Sequence, residues 1–389
     1  MQFSFQTATN IIFKSYATKN LKDTIKPYGK RILLVLGKNM KRHQEIIDQL
    51  LTMYTVDLFQ VPYEPTLTLV LEGVKKAKVC KCDVVLAIGG GSVIDTAKAI
   101  SALTVQEGDV LDYLEIVGKG KPLMHKPIPF IAVPTTSGTG AEVTKNAVIL
   151  VEEKHLKVSL RSDMMLPTLA IIDPSLTLSL PKEMTAYTGM DAITQIIEPY
   201  VSLFANPLTD SLIEKALPYS ASLIKAYQHG NSLKAKEEMA YLSLIGGLSL
   251  ANAKLGAVHG FAGVLGGMFK LPHGLLCAQL LPSVTKENIK ALESHDINHP
   301  TLKKYTVIAQ KMMSNMEVNY QDLGLHLENM LTELNIPRKN KHRLSFEMIN
   351  NIIEIAKSSS SMKGNPIDLE DEVLKRILLT IFEKENHYE

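Results

Sequence analysis

At 389 residues the chain exceeds what one ordinary hydrophobic core supports, which points to two domains. Apolar residues make up 46% and charged residues 21%, a globular composition, and 42 Lys plus Arg against 40 Asp plus Glu leave a net charge of +2. Without a basic excess or stripe, a nucleic-acid partner is not expected. Cys80, Cys82 and Cys277 are too few for a disulfide framework and fit a reducing compartment. The first residues lack the charged and apolar regions of a signal peptide, and the most apolar stretch, 245–271, is interrupted by Lys254, His259 and glycines. The expectation is a cytoplasmic protein with no membrane segment.

The first half alternates strands and helices. Arg31 to Leu36 is an apolar run ending at Gly37, and a helical pattern follows over 42–54. Val56 to Phe59 reads as strand, Leu67 to Lys78 as helix and Asp83 to Ile88 as strand. Cys80-Lys81-Cys82 reads as the turn before that strand. Pro127 to Val133 and Leu169 to Ile172 are further apolar runs. Continuous apolar strands separated by helices predict a parallel sheet buried on both faces, the doubly wound, Rossmann-like α/β pattern. After Pro174 the texture changes. Residues 175–181 read as a connector, and long amphipathic patterns follow, such as 208–228 with a kink at Pro218 and 235–253. The expected division is 1–180, an α/β nucleotide-binding domain, and 181–389, an all-α domain.

Asp83 to Ile88 runs into Gly89-Gly90-Gly91-Ser92 and then a helix from Val93 to Leu103. Glycines let the backbone turn sharply and approach a ligand, and the helix start presents N–H groups and a positive dipole end to a phosphate. Ser92 is placed either to cap this helix or to bond a phosphate, and Asp95 and Lys98 lie in its first two turns. The G-x-G-x-x-G fingerprint is absent. A second loop, Pro134-Thr135-Thr136-Ser137-Gly138-Thr139-Gly140-Ala141-Glu142, follows another strand and offers hydroxyls to a phosphate or ribose.

In the second half, His259 and His273 both lie in apolar surroundings. Gly266-Gly267 and Pro272 predict a break between them, so the two rings can converge from neighbouring helices. Asp191, in Thr188-Gly189-Met190-Asp191-Ala192, reads as the start of an apolar helix, where a carboxylate also suits the helix dipole. One Asp and two His make a three-ligand set with an open position, the pattern of a catalytic metal site. Gln195 stands four residues after Asp191 on the same face, placed to add an oxygen ligand or to orient a water.

These segments resemble the iron-containing alcohol dehydrogenases of the dehydroquinate-synthase-like superfamily. The likeness rests on Gly89 to Lys98, Pro134 to Thr144, Thr188 to Ala192 and Val258 to Gly274, in the family's order and spacing, with Phe3 to Phe13 and Gly364-Asn365-Pro366 resembling its opening strands and closing segment. It implies an active site in the cleft between a nucleotide-binding and a helical domain. It implies that Gly89, Gly90, Gly91, Ser92 and Asp95 form the pyrophosphate site, with Thr135, Thr136, Thr139 and Lys157 as further cofactor contacts. Asp191, His259 and His273 are implied as metal ligands, for Fe2+ ahead of Zn2+, and a homodimer is implied.

Two positions depart from the pattern. Many family members carry a histidine where this chain has Gln195, and a second one, the usual candidate for proton relay, where it has Gly263. Glycerol dehydrogenases of the superfamily manage with one Asp and two His around zinc. A third position bears on the dinucleotide. Some members carry an Asp after the first strand; here Gly37 is followed by Lys38, Asn39, Lys41 and Arg42, which favours NADP over NAD. The implied activity is hydride transfer between NAD(P) and a small alcohol or aldehyde, with the metal as Lewis acid. The competing readings are a maleylacetate-reductase-like metal-free reductase, a dehydroquinate-synthase-like lyase and a non-catalytic binding protein.

Overall fold

A computed structural model describes residues 3–7, 10–154 and 156–385. The chain divides into two compact units, one of residues 6–179 and one of 180–389 joined by 1–5.

The first unit is built on six strands: β1 (Asn10–Phe13), β2 (Arg31–Gly37), β3 (Thr55–Val61), β4 (Val84–Gly89), β5 (Phe130–Pro134) and β8 (Leu169–Ile172). They pair in the order β1-β8-β5-β4-β2-β3, every ladder parallel. Of the opening segment Phe3 to Phe13, only Asn10–Phe13 is strand among the described residues; Ala8 and Thr9 lie outside them. Between the strands lie α1 (Leu21–Thr24), α2 (Gln44–Leu51), α3 (Leu67–Cys80) and α4 (Gly91–Leu103). The helix expected over 42–54 is shorter, because Met40–His43 forms a 3-10 turn first.

Alternation along each strand divides the core between two faces. Ile32, Leu34, Leu36, Leu86 and Ile88 pack with Ile46, Ile47 and Leu50 of α2, whereas Leu33, Val35, Val85 and Ala87 pack with Leu69 and Ala77 of α3 and Val93, Ala97 and Ile100 of α4. Each fully buried aliphatic side chain contributes roughly 1.5–3 kcal/mol. Lys81, in the left-handed conformation (φ 49°), ends α3 and turns the chain into β4, as the Cys-Lys-Cys reading expected. The sequence reading missed an antiparallel hairpin of β6 (Asn146–Val151) and β7 (Leu156–Arg161), which buries Ala147, Ile149, Val158 and Leu160 against Val70, Val74, Ala99 and Leu103.

The strand order decides which end of the sheet opens. From β2 the chain crosses to β3 on one side, and from β4 to β5 on the other. The connections leaving the adjacent carboxyl ends Gly37 and Gly89 therefore diverge, which opens a crevice at the switch point of the sheet.

The second unit is helical: α5 (Lys182–Val201), α6 (Pro207–Ala216), α7 (Ser222–Gln228), α8 (Leu233–Ala253), α9 (Ala257–Phe269), α10 (His273–His295), α11 (Pro300–Met313), α12 (Tyr320–Glu333), α13 (Phe346–Ser358) and α14 (Asp371–Ile381). Its strands β9 (Arg343–Leu344) and β10 (Glu383–Lys384) are two residues each. The kink expected at Pro218 is a 3-10 segment, Leu217–Ala221, that separates α6 from α7. Residues 189–201 of α5 are buried without interruption, so this helix forms the centre of the unit. Asp191 therefore lies in the middle of a helix and does not start one. Gly266-Gly267 also does not break α9, which runs on to Phe269; the break is Lys270–Pro272, where Lys270 adopts φ 53°. Among the described residues no single helix is long and apolar enough to cross a membrane. The pair α8 and α9, bent by 99°, passes that test by length and composition only, and most of both helices is buried within this unit.

Candidate metal centre and dinucleotide site

On α5, Asp191, Gln195 and Glu198 stand at i, i+4 and i+7, one polar stripe on a buried helix. His259 lies in the first turn of α9, and Gly256 caps that helix with no side chain. Glu198 Oε1 accepts from the Val258 N–H at 2.7 Å, and Asn365 Oδ1 accepts from the Ala257 N–H at 3.2 Å. These two side chains satisfy the free donors of α9 and dock its start on α5. A Cβ at position 256 would stand 2.8 Å from Glu198 Oε1, so the approach requires glycine. The closing segment Gly364-Asn365-Pro366 thus acts through Asn365, which also exchanges hydrogen bonds with Asn288.

His259 Nδ1 lies 2.6 Å from Glu198 Oε2, which turns Nε2 to the other side. There Asp191 Oδ1 lies 3.3 Å from His259 Nε2 and 3.7 Å from His273 Nε2, and the two rings are 5.3 Å apart between centroids. His273 is the first residue of α10 and is one-third exposed, whereas His259 and Asp191 are buried. Cys277, one turn further along α10, brings Sγ to 3.6 Å from His273 Nε2 and 3.9 Å from His259 Nε2. One ligand atom from each of Asp191, His259, His273 and Cys277 lies within 4.8 Å of all the others. Gln195 Nε2 donates to Asp191 Oδ1 at 3.1 Å, and its buried Oε1 has no partner.

The electrostatics of this cluster favour a cation. Burial works against a charged His259, yet Cys277, Asp191 and Glu198 outweigh it and hold its pKa well above the usual histidine range. For His273 burial is likewise outweighed, by Cys277 and Asp191. Burial works against the charged Asp191 too, but the hydrogen bond from His259 and the two imidazoles keep its carboxyl below the ordinary value. A field that favours protons on two imidazoles favours a divalent ion in their place. Two N or O ligands at about 2.0 Å from one ion stand roughly 3.3 Å apart at the tetrahedral angle, close to the spacings here. The donor set, its spacing and the unpartnered Gln195 oxygen all fit a metal.

Sequence reasoning placed Asp191, Gln195, His259 and His273 in one site and missed Glu198 and Cys277. Both were legible as helical spacing, Glu198 seven residues after Asp191 and Cys277 four after His273.

In the α/β unit the glycine loop and the threonine loop lie side by side. A Cβ on Gly90 would meet Thr136 Cγ2 at 3.3 Å, and one on Gly91 would meet Thr139 Cγ2 at 2.8 Å. The Thr135 N–H donates to the Gly89 carbonyl at 2.9 Å, and Gly37 stands against Val93 at the start of α4. Ser92 does not cap α4: the helix begins at Gly91 with Gly90 as its cap, so no side chain covers its first N–H groups. Asp95 Oδ2 accepts from the Val148 N–H at 3.0 Å. Lys98 is buried and donates to the carbonyls of Ala141 and Asn146, both at 2.8 Å, and to Thr144 Oγ1 at 3.0 Å. These two side chains tie α4 to the threonine loop and the hairpin. Lys157, in β7, forms an ion pair with Glu64 at 2.6 Å. Arg42 donates to Ser179 Oγ and to the Leu176 carbonyl, whereas Lys38 and Lys41 are exposed.

A parallel sheet with two polar loops at its switch point, and a helical unit with an Asp-His-His cluster, define a dinucleotide-dependent metalloenzyme architecture. Residues 8–174 match the family described as iron-containing alcohol dehydrogenase, and residues 185–382 match its C-terminal family. The chain is 34% identical to the choline dehydrogenase of Bacillus subtilis (strain 168), over 83% of this chain and 79% of that protein. It is 35% identical to the 1,3-propanediol dehydrogenase of Citrobacter freundii, over 80% of each. The crystal structure of a 1,3-propanediol oxidoreductase superposes with a TM-score of 0.88 at 29% identity, covering 97% of this chain and 99% of that one. The chain belongs to the iron-containing alcohol dehydrogenases. It is a metal-dependent oxidoreductase of the alcohol dehydrogenase type.

Proposed function

We propose that the protein interconverts a small alcohol and its aldehyde or ketone, with a divalent iron or zinc ion held by Asp191, His259 and His273 and a dinucleotide seated at the carboxyl ends of β2 and β4. The observation that carries this is the convergence of one carboxylate and two imidazole Nε2 atoms from three helices. When bound, the metal supplies Lewis-acid polarisation of the substrate oxygen, and the nicotinamide carries the hydride. Residues 1–180 serve the dinucleotide in this reading and residues 181–389 the metal.

The chain's own residues do the positioning. Glu198 fixes the tautomer and ring of His259. Gln195 holds the Asp191 oxygen through its amide and leaves Oε1 as an acceptor toward the ion or its water. Gly89, Gly90 and Gly91 let the backbone approach a pyrophosphate at the uncapped start of α4, with Ser92, Thr135, Thr136 and Thr139 as hydroxyl donors. Asp95 acts as a positioning residue, because a carboxylate aimed at a pyrophosphate would repel it. Lys157, paired with Glu64, is the further cofactor contact in this reading. Gly263 brings no group for proton transfer.

NADP is the favoured dinucleotide. No carboxylate follows Gly37 to repel a 2′-phosphate, and Lys38 and Lys41 are exposed beside it. Arg42 is already engaged by Leu176 and Ser179, so the two lysines carry that preference. A cytoplasmic homodimer fits the free cysteines and the family resemblance.

The test is elemental analysis of protein purified without chelator or added metal, paired with NADPH and NADH oxidation against short aldehydes. About one iron or zinc per chain is expected, lost together with activity in His259→Ala. Full aldehyde reduction by metal-free protein would overturn the metal's role and favour a maleylacetate-reductase-like reaction.

A further inference from the structure

We propose that Cys277 is itself a ligand of the metal and that its sulfur turns this centre toward zinc. The proposal rests on the metal reading above and goes past it, from a set of one Asp and two His to one of Asp, two His and Cys.

Cys277 follows His273 by four residues on α10, so both side chains leave the same helical face. The side chain is fully buried, with Sγ at 3.6 and 3.9 Å from the two imidazole Nε2 atoms. A nitrogen at about 2.0 Å and a sulfur at about 2.3 Å from one zinc ion stand roughly 3.6 Å apart at the tetrahedral angle. The sulfur stands near this spacing from both imidazoles and within 4.8 Å of the Asp191 oxygen.

A buried cysteine is commonly a small core residue with a weak S–H donor. Packing alone asks only for an apolar side chain here, whereas this sulfur faces the ligand atoms of three polar residues. A second observation points to a cation at this cluster. Gln195 is 2% exposed, gives its amide N–H to Asp191 Oδ1 and leaves Oε1 with no partner, which marks the cluster as incomplete without a cation.

Ligand charge separates the two candidates for a fourth ligand. The carboxylate of Asp191 and a Cys277 thiolate would balance a dication within the ligand set itself, whereas with the Gln195 amide in that place the second negative charge is that of Glu198, one residue removed behind His259. On binding, the S–H proton leaves to solvent and a metal–sulfur bond replaces it. Thiolate is a soft ligand that selects zinc, where an amide oxygen does not. Zinc accepts a fifth ligand, so four protein ligands do not bar a substrate oxygen.

Two measurements test this. X-ray absorption on the zinc-loaded full-length protein is expected to show a sulfur shell at about 2.3 Å. The cobalt(II)-loaded protein is expected to show a near-ultraviolet thiolate-to-cobalt charge-transfer band. In Cys277→Ser that band disappears while about one cobalt per chain and its visible ligand-field bands remain, and zinc affinity falls more than about ten-fold. One bound zinc with no sulfur shell, or a band that survives in Cys277→Ser, overturns the proposal while leaving the metal reading intact. A protein that binds neither zinc nor cobalt overturns both. The absorption measurement needs no variant, so a folding failure of Cys277→Ser leaves the proposal open to refutation.

Discussion

Single side chains in the helical unit act mainly by holding one another. Glu198 stands outside the Asp191, His259, His273 and Cys277 group, yet it accepts from both His259 and the backbone of α9. Glu198→Gln preserves shape and removes the charge that fixes the imidazole. Metal affinity is expected to fall about 10- to 100-fold, measured by competition with a chromophoric chelator. Glycines divide by what surrounds them. A Cβ at Gly263 meets nothing within 4 Å, whereas one at Gly274 would lie 2.3 Å from the Tyr187 carbonyl oxygen. Gly263→Ala is therefore expected to stabilise the protein by about 0.5–1 kcal/mol, through lower backbone entropy in the unfolded chain. Gly274→Ala is expected to destabilise it by about 1–3 kcal/mol, because α5 and α10 must separate. Denaturant midpoints of the two variants would show shifts of opposite sign.

Among elements, the pairing of the glycine loop with the threonine loop shapes the proposed dinucleotide site. Gly91 opens α4 and lies against Thr139, and Lys98 and Asp95 bind the same helix to the hairpin. Gly91→Ala places a methyl group 2.8 Å from Thr139 Cγ2, so one loop must shift. Dinucleotide affinity is expected to weaken roughly ten-fold, about 1.4 kcal/mol, while metal content stays unchanged. Fluorescence titration with NADPH beside elemental analysis separates the two effects. Equal loss of both would mean that the variant had damaged the fold.

For the whole molecule, buried charge sets how stability responds to pH. Burial raises the Glu142 carboxyl from its ordinary 4.5 to about 7, against the pull of its own backbone N–H and Lys98. The folded state thus holds this proton at a pH where the unfolded chain has lost it. Stability from protonated Glu142 is complete below about pH 4.5 and is lost as pH rises toward about 7. Burial lowers Lys98 from 10.5 to about 8, so its contribution changes in a separate, higher window. Glu142→Gln is expected to flatten the lower window and, by removing a carboxylate that supports the charged Lys98, to move the upper window to lower pH, as read from chemical denaturation across pH. Removing the metal is expected to lower the melting temperature by the linkage term of a ligand bound only by the folded state. A chelated protein that melts unchanged would argue that no ion had been bound.

The sequence by itself determined the local rules. Short, β-branched apolar runs such as Ile32–Leu36, separated by helical patterns, read as strands buried on both faces, and Gly89-Gly90-Gly91 reads as the tight passage from strand to helix that leaves N–H groups free. It also marked Asp191, His259 and His273, because polar groups in apolar surroundings need partners. What it did not contain was where helices begin and who faces whom. Asp191 looked like a helix start because the residues before it are small and polar, but the packing of Thr185, Ala186 and Gly189 carries α5 back to Lys182. The glycines of α9 looked like a break, and burial within the helical unit keeps that helix intact. The β6–β7 hairpin gains its core from distant partners, α3, α4 and the residues Tyr113, Leu114, Leu123 and Met165, so its own pattern was too weak to read. Glu198 and Cys277 stood at the right helical spacing all along, yet spacing names many residues and only tertiary contact selects two. Partners that bring a carboxylate, two imidazoles and a sulfur within 4.8 Å come from three different helices, and the distances between them are set by packing that no local pattern encodes.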